Sequence, residues 1–234
     1  MTPTREGSLR IFRIAGINVF VHWSWLLVAY YVIDQRRGAY SSLAWNIGEY
    51  LALFVLVLMH EYGHALACRQ VGGRAEEIVL WPLGGVAYVA PPHRPGAVLW
   101  SIAAGPLVNA VLYVVFTGAT IALGNTDWPL LNPNAADLLR MLSYINGALL
   151  LFNLLPVYPL DGGQILQALL WFRLGYVRSL KIATMIGFIG VAALAAYAYH
   201  EGSIWLGILA VFVFLNCRQG FLRARALSAE PPRR

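Results

Sequence analysis

His60-Glu61-Tyr62-Gly63-His64 interrupts an otherwise apolar run over residues 50–68, between Leu51-Ala-Leu-Phe-Val-Leu-Val-Leu-Met59 and Ala65-Leu-Ala67. On a helix, residues four apart stand one turn up the same face, so His60 and His64 form a two-nitrogen clamp. Such a clamp suits Zn²⁺, and a glutamate beside the first histidine can hold a water against the metal. A charged side chain at the centre of a bilayer costs roughly 2.5–3.5 kcal/mol on insertion scales, so an intramembrane glutamate is read as functional. The plain alternative is a helix face carrying two hydrogen-bonded core histidines. That alternative leaves the desolvation of the whole group unaccounted for. The stretch reads as a metal-dependent hydrolytic centre inside a membrane.

The composition agrees. Of 234 residues, 59% are hydrophobic and 12% charged, against about half apolar and a quarter charged in a soluble domain. Cys68 and Cys217 lie in or beside apolar spans and set up no disulfide framework. Residues 1–13 are polar and basic and lead into an apolar window with no small-residue cleavage site, so residues 14–33 are expected to form a retained first transmembrane helix. Further spans are expected at residues 44–68, within 95–126, and at 141–160, 182–199 and 202–217, the last extending into its polar ends. Between the second and third, Ile78-Val-Leu-Trp81 and Val86-Ala-Tyr-Val89 flank Gly84-Gly85 and read as two short strands around a glycine turn; an amphipathic connector is the alternative. The expected class is an all-α polytopic membrane protein with about six transmembrane helices and a short membrane-associated β-hairpin between helices 2 and 3. A single membrane-embedded domain over residues 1–234 is expected. Its core is about 14–173, helices 5 and 6 lie at about 180–220, and a basic cytoplasmic tail occupies 221–234.

Orientation follows from lysine and arginine counts in the loops. With the N-terminus inside, the inner segments carry Arg5, Arg10, Arg13, Arg69, Arg74, Arg94, Arg173, Arg178, Lys181, Arg218, Arg223, Arg225, Arg233 and Arg234. The outer ones carry only Arg36, Arg37 and Arg140. Both termini are therefore expected on the cytoplasmic side, with His60–His64 nearer that side. The net charge of +6 reads as a topology signal and a lipid-headgroup contact; no nucleic-acid partner is expected.

A catalytic zinc needs a third protein ligand and an open position. Cys68 continues the four-residue spacing but lies about 12 Å along the helix from His60, too far for one ion. Asn153-Leu-Leu-Pro-Val-Tyr-Pro-Leu-Asp161-Gly-Gly163 is the better source. Pro156 and Pro159 end the fourth span, and unwound backbone at membrane depth is tolerated only when buried in protein or lining a wet cavity. Asp161 sits in that break. It is a candidate ligand, with capping of the following helix as the simpler role.

His60-Glu-Tyr-Gly-His64, Asn153-Leu-Leu-Pro156 and Pro159-Leu-Asp-Gly-Gly163 together resemble the site-2 protease family of intramembrane zinc metalloproteases. Leu83-Gly-Gly85 and Ala104-Gly-Pro-Leu-Val-Asn109 fit that family's pattern between the two motifs. The resemblance covers about residues 21–170 and points to the prokaryotic, sporulation-type branch without PDZ or CBS domains. It implies one Zn²⁺ per chain held by His60, His64 and Asp161, with Glu61 as the catalytic glutamate and Asn153 near the reacting centre. The implied activity is hydrolysis of a peptide bond in or near a transmembrane segment of a membrane-protein substrate. A separate regulatory membrane protein is an expected partner, beside the lipid bilayer.

Other polar residues are open. Asn109 is expected either to hydrogen-bond another helix or, like Asn153, to contact substrate or oxyanion. His22 is expected as an interfacial residue among aromatic anchors or as a cavity-lining partner, and Glu49 as a solvated residue near the outer face. A non-catalytic metal-binding transporter or scaffold is the rival function, though such a site has no use for Glu61. A zincin with a downstream glutamate ligand would have to draw on Glu76, Glu77, Glu201 or Glu230, none in a second apolar helix at suitable depth.

Overall fold

In the computed structural model, which describes residues 7–81 and 84–229, the described residues open with strands and not with a membrane helix. β1 (Ser8–Ile14) and β2 (Ile17–His22) form a hairpin. Ile14 pairs with Ile17 across the two-residue turn Ala15-Gly16, whose φ angles are 51° and 74°. Positive φ at both central positions is the turn that matches strand twist, and it is why glycine follows the alanine. Residues 14–33, expected as one transmembrane helix, therefore divide into β2 and the helix α1 (Ser24–Gln35). At 12 residues, α1 is about 18 Å long, short of the roughly 30 Å hydrocarbon layer. The window is apolar for another reason: Ile17 and Val19 alternate into a fully buried sheet face.

β2 pairs in parallel with β3 (Arg74–Trp81), Asn18 opposite Glu77, and the crossover between them is made by α1 and α2 (Leu43–Gln70). β3 pairs antiparallel with β4 (Gly84–Ala90), Trp81 opposite Gly84, giving the order β1-β2-β3-β4. Both glycines expected in the turn thus belong to β4; Leu83 lies outside the described residues. The sheet is larger than the expected hairpin because two strands come from the N-terminal window.

Two compact units divide the chain. The first comprises residues 3–90 and 104–151: the sheet, α1, α2, most of α3 (Pro95–Gly124), the single turn α4 (Trp128–Leu131) and nearly all of α5 (Pro133–Leu154). Its apolar core joins Ile17, Val19, Ile78 and Leu80 of the sheet to Trp25, Tyr50, Val57, Ala65 and Cys68 of α1 and α2. Cys68 is thus a packed filler, its thiol 3.5 Å from the Arg74 carbonyl. Arg69 ties the end of α2 to the sheet, donating to the carbonyls of Ala15, Gly16 and Ala75. Glu49, expected in solvent, is 5% exposed and accepts from Arg36 at 3.0 Å. A carboxylate that deep needs a counter-charge, and the α1–α2 connection supplies one.

The second unit holds residues 91–103 and everything from Phe152 on: α6 (Asp161–Leu174), α7 (Tyr176–Glu201) and α8 (Ile204–Ala229). α5 ends at Leu154, before Pro156, and six residues of irregular chain lead to α6. Gly162 and Gly163 let α6 start against that segment, since a Cβ at either would run into backbone between Leu154 and Tyr158. Cys217 of α8 donates its thiol proton to the Tyr158 carbonyl at 2.7 Å, holding the irregular segment. Among the described residues, five helices are long and apolar enough to cross a membrane: α2, α3, α5, α7 and α8. The chain is a multi-pass membrane protein, mostly helical with one small sheet.

Candidate metal centre

His60 and His64 face the same way from the buried side of α2, at 6% exposure each. Their rings meet edge to face with centroids 4.6 Å apart, and the two Nε2 atoms are 3.0 Å apart. Two nitrogens on one tetrahedral Zn²⁺, each at 2.0–2.1 Å, sit about 3.3 Å apart, so the pair needs only a few tenths of an ångström to accept an ion. The outer nitrogen of His60 is committed: Nδ1 lies 3.0 Å from Oδ1 of Asn109 on α3. An amide oxygen only accepts, so Nδ1 carries the proton and Nε2 presents a lone pair.

Room for this comes from glycine on two helices. At Gly63 a Cβ would stand 2.7 Å from the Ala104 carbonyl oxygen, so only glycine lets α2 approach α3 there. At Gly105 a Cβ would enter the His64 ring. Glycine at such a crossing is the usual route to close helix packing in lipid.

Glu61, 5% exposed, turns toward the sheet. Its Oε2 accepts the Ala87 backbone N–H of β4 at 2.8 Å, and Gly85 leaves the space its carboxylate fills. β4 is an end strand, and this amide is directed outward to the glutamate instead of along the sheet.

The first unit therefore gathers His60, Glu61, His64 and Asn109. Asp161 and Asn153 belong to the second, on either side of the break: Asn153 half-buried in the last turn of α5, Asp161 buried at the start of α6. Asp161 is the first helical residue; the N-cap is Leu160, with no side-chain cap. His60, His64 and Asp161 each offer a ligand atom from a buried side chain, and two imidazoles with one carboxylate are a catalytic-zinc donor set. His22 stacks on Trp81 at 4.1 Å and pairs with Ser24 through Nδ1, a local role at the end of β2. Sequence reasoning missed Asn146. It is fully buried on α5 and donates to the Asn109 carbonyl at 2.7 Å. The signal was there, an asparagine inside an apolar span, where a polar side chain must find a partner on another helix.

The sequence matches Peptidase family M50 over residues 49–128 and 120–197, and the chain belongs to that family. In structure it is similar to the site-2 protease from Methanocaldococcus jannaschii, with a TM-score of 0.66 and 30% identity, covering 92% of this chain and 95% of that one. A zinc metalloprotease of the same organism is 33% identical over 212 residues, 91% of this chain and 60% of that protein. Stage IV sporulation protein FB of Bacillus subtilis is 26% identical over 180 residues, 76% of this chain and 59% of that protein. The chain thus spans about three fifths of the length of these two curated relatives.

Proposed function

We propose that the chain is an intramembrane zinc metalloprotease that cleaves a peptide bond within or near a transmembrane segment of a membrane-protein substrate. The observation that carries this reading is a buried glutamate, Glu61, fixed by the Ala87 amide beside two buried imidazoles. A transport or scaffold site has no use for such a group. His60, His64 and Asp161 hold one zinc per chain. Zinc at such a site activates a water near neutral pH and polarises the scissile carbonyl. Glu61 keeps one carboxylate oxygen on Ala87 and takes the water's proton on the other, then passes it to the leaving amine. Asn153 donates to the developing oxyanion. Asn109 gives its side-chain oxygen to His60.

A helical substrate hides its carbonyls in its own ladder and must be unwound before attack. β4 offers the place to hold it: an end strand whose outer edge already faces Glu61, suited to β-augmentation. The arginine and lysine distribution supports an orientation with both termini, and the site, nearer the cytoplasm. Five long spans alone would put the termini on opposite sides, so α1 makes the sixth crossing, the bilayer thinning around it. The whole chain acts as one membrane domain, with a separate membrane protein as its regulator.

Glu61→Gln tests the reading. The variant is expected to fold and keep zinc while cleavage of a transmembrane substrate disappears, because a carboxamide cannot take the proton. Near-normal turnover by Glu61→Gln would remove Glu61 as the base. Full zinc occupancy after replacing both His60 and His64 by Ala would remove the site.

A further inference from the structure

The seam between α3 and α5 carries polar groups at helical spacing. Asn109, Tyr113 and Thr117 recur every four residues on α3, and Ser143, Asn146 and Gly147 meet them from α5. Thr117 Oγ1 and Ser143 Oγ are 2.7 Å apart. Gly147 admits the Tyr113 ring, since a Cβ there would stand 2.7 Å from Tyr113 Cε2. One turn further along, Asn146 Nδ2 donates to the Asn109 carbonyl at 2.7 Å, and Asn109 Oδ1 lies 3.0 Å from His60 Nδ1. Both asparagines have zero exposure.

We propose that Asn146 is a positioning residue for the metal ligand His60, acting through Asn109. The inference rests on His60 holding zinc, as argued above. A helix carbonyl already serves its own ladder, but its oxygen has a second lone pair, and Asn146 uses it. With its carbonyl pinned from α5, Asn109 presents its amide oxygen to His60 from a fixed place. That bond keeps the imidazole proton on Nδ1 and the lone pair on Nε2. With both asparagines fully buried no water competes for the Asn146 amide, so this bond sets the helix register at the level of the metal. Thr117 and Ser143 fasten the same two helices with no link to His60, and they provide the control.

The experiment measures zinc affinity of the full chain in detergent by chelator competition, with the visible spectrum of the Co²⁺-loaded protein as a second readout. Asn109→Ala is expected to weaken zinc within the 10–100-fold typical of partners behind a ligand, and Asn146→Ala by about tenfold. Combining them should weaken zinc no further than Asn109→Ala alone, because both act on one chain of bonds. Thr117→Val should lower thermal stability while leaving zinc affinity and the Co²⁺ spectrum unchanged. Asn146→Ser satisfies its hydroxyl on its own helix and serves the same comparison if the alanine variant does not fold. Unchanged zinc affinity in Asn146→Ala or Asn146→Ser, equal weakening in Thr117→Val, or losses that add in the double variant would overturn this inference alone. Zinc retained in His60→Ala would overturn the metal site, and this inference with it.

Discussion

Gly105→Ala adds one methyl group where α3 crosses the two histidines. The new carbon would stand 2.9 Å from Cε1 of His60 and deeper still in the His64 ring. Ordinary carbon contacts are about 3.5–4.0 Å, so relieving the overlap at His64 requires a shift of about 1 Å. Neither partner yields easily: His60 is tied to Asn109, and α3 is held against α2 at Gly63 and Ala104. Catalytic groups must be held within about 0.5 Å, and a 1 Å misplacement costs about 100-fold in rate. The fold suffers less. Overpacking costs about 1–3 kcal/mol, and alanine is better than glycine inside a helix by about 1 kcal/mol. The variant should therefore unfold within about 2 kcal/mol of the parent, bind zinc at least about tenfold more weakly and cleave about 100-fold more slowly. Thermal unfolding in detergent, chelator competition and gel-based cleavage of a transmembrane substrate measure the three quantities. Parent-like zinc affinity and turnover would refute the crowding at Gly105.

Asp161→Asn should fold as the parent does, because the residue is not the N-cap of α6, yet bind zinc far more weakly and fail to cleave; unchanged zinc affinity, measured by the same competition, would send the search for the third ligand elsewhere. Ala87→Pro removes the N–H that holds Glu61, so cleavage should fall about 100-fold while zinc stays bound, and equal losses of both would point to a collapsed sheet. Arg36→Ala leaves the Glu49 carboxylate buried without its guanidinium and should lower stability by about 3 kcal/mol, the low end for a buried pair because Arg36 is partly exposed. Replacing both by Met and Leu should recover most of that loss in thermal unfolding.

What was legible in the sequence was local. His60, Glu61 and His64 lie within one helical turn, and Pro156 and Pro159 break a helix wherever they fall, so spacing alone identifies the clamp and the end of α5. The N-terminal window misled because hydropathy over residues 14–33 is the same for a buried strand followed by a short helix as for one membrane helix. Two details do distinguish them: β-branched residues at every second position and the Ala15-Gly16 turn. From sequence, Gly84-Gly85 has the look of turn chemistry, whereas the reason at Gly85 is the Glu61 carboxylate, 24 residues earlier in the chain. The Asn109–Asn146 contact and the Glu49–Arg36 pair join separate helices or their connections, and no periodicity in a single segment reports them.

The parallel pairing of β2 with β3 also sets a schedule. Asn18 cannot meet Glu77 until about sixty further residues have been made, which at 5–20 residues per second takes about 3–12 s. Through that interval β2 keeps an open edge of the kind that recruits stray strands. Arg69 leaves the ribosome before β3 does. The side chain that grips the Ala15 and Gly16 carbonyls is thus made in time to hold the waiting hairpin for β3.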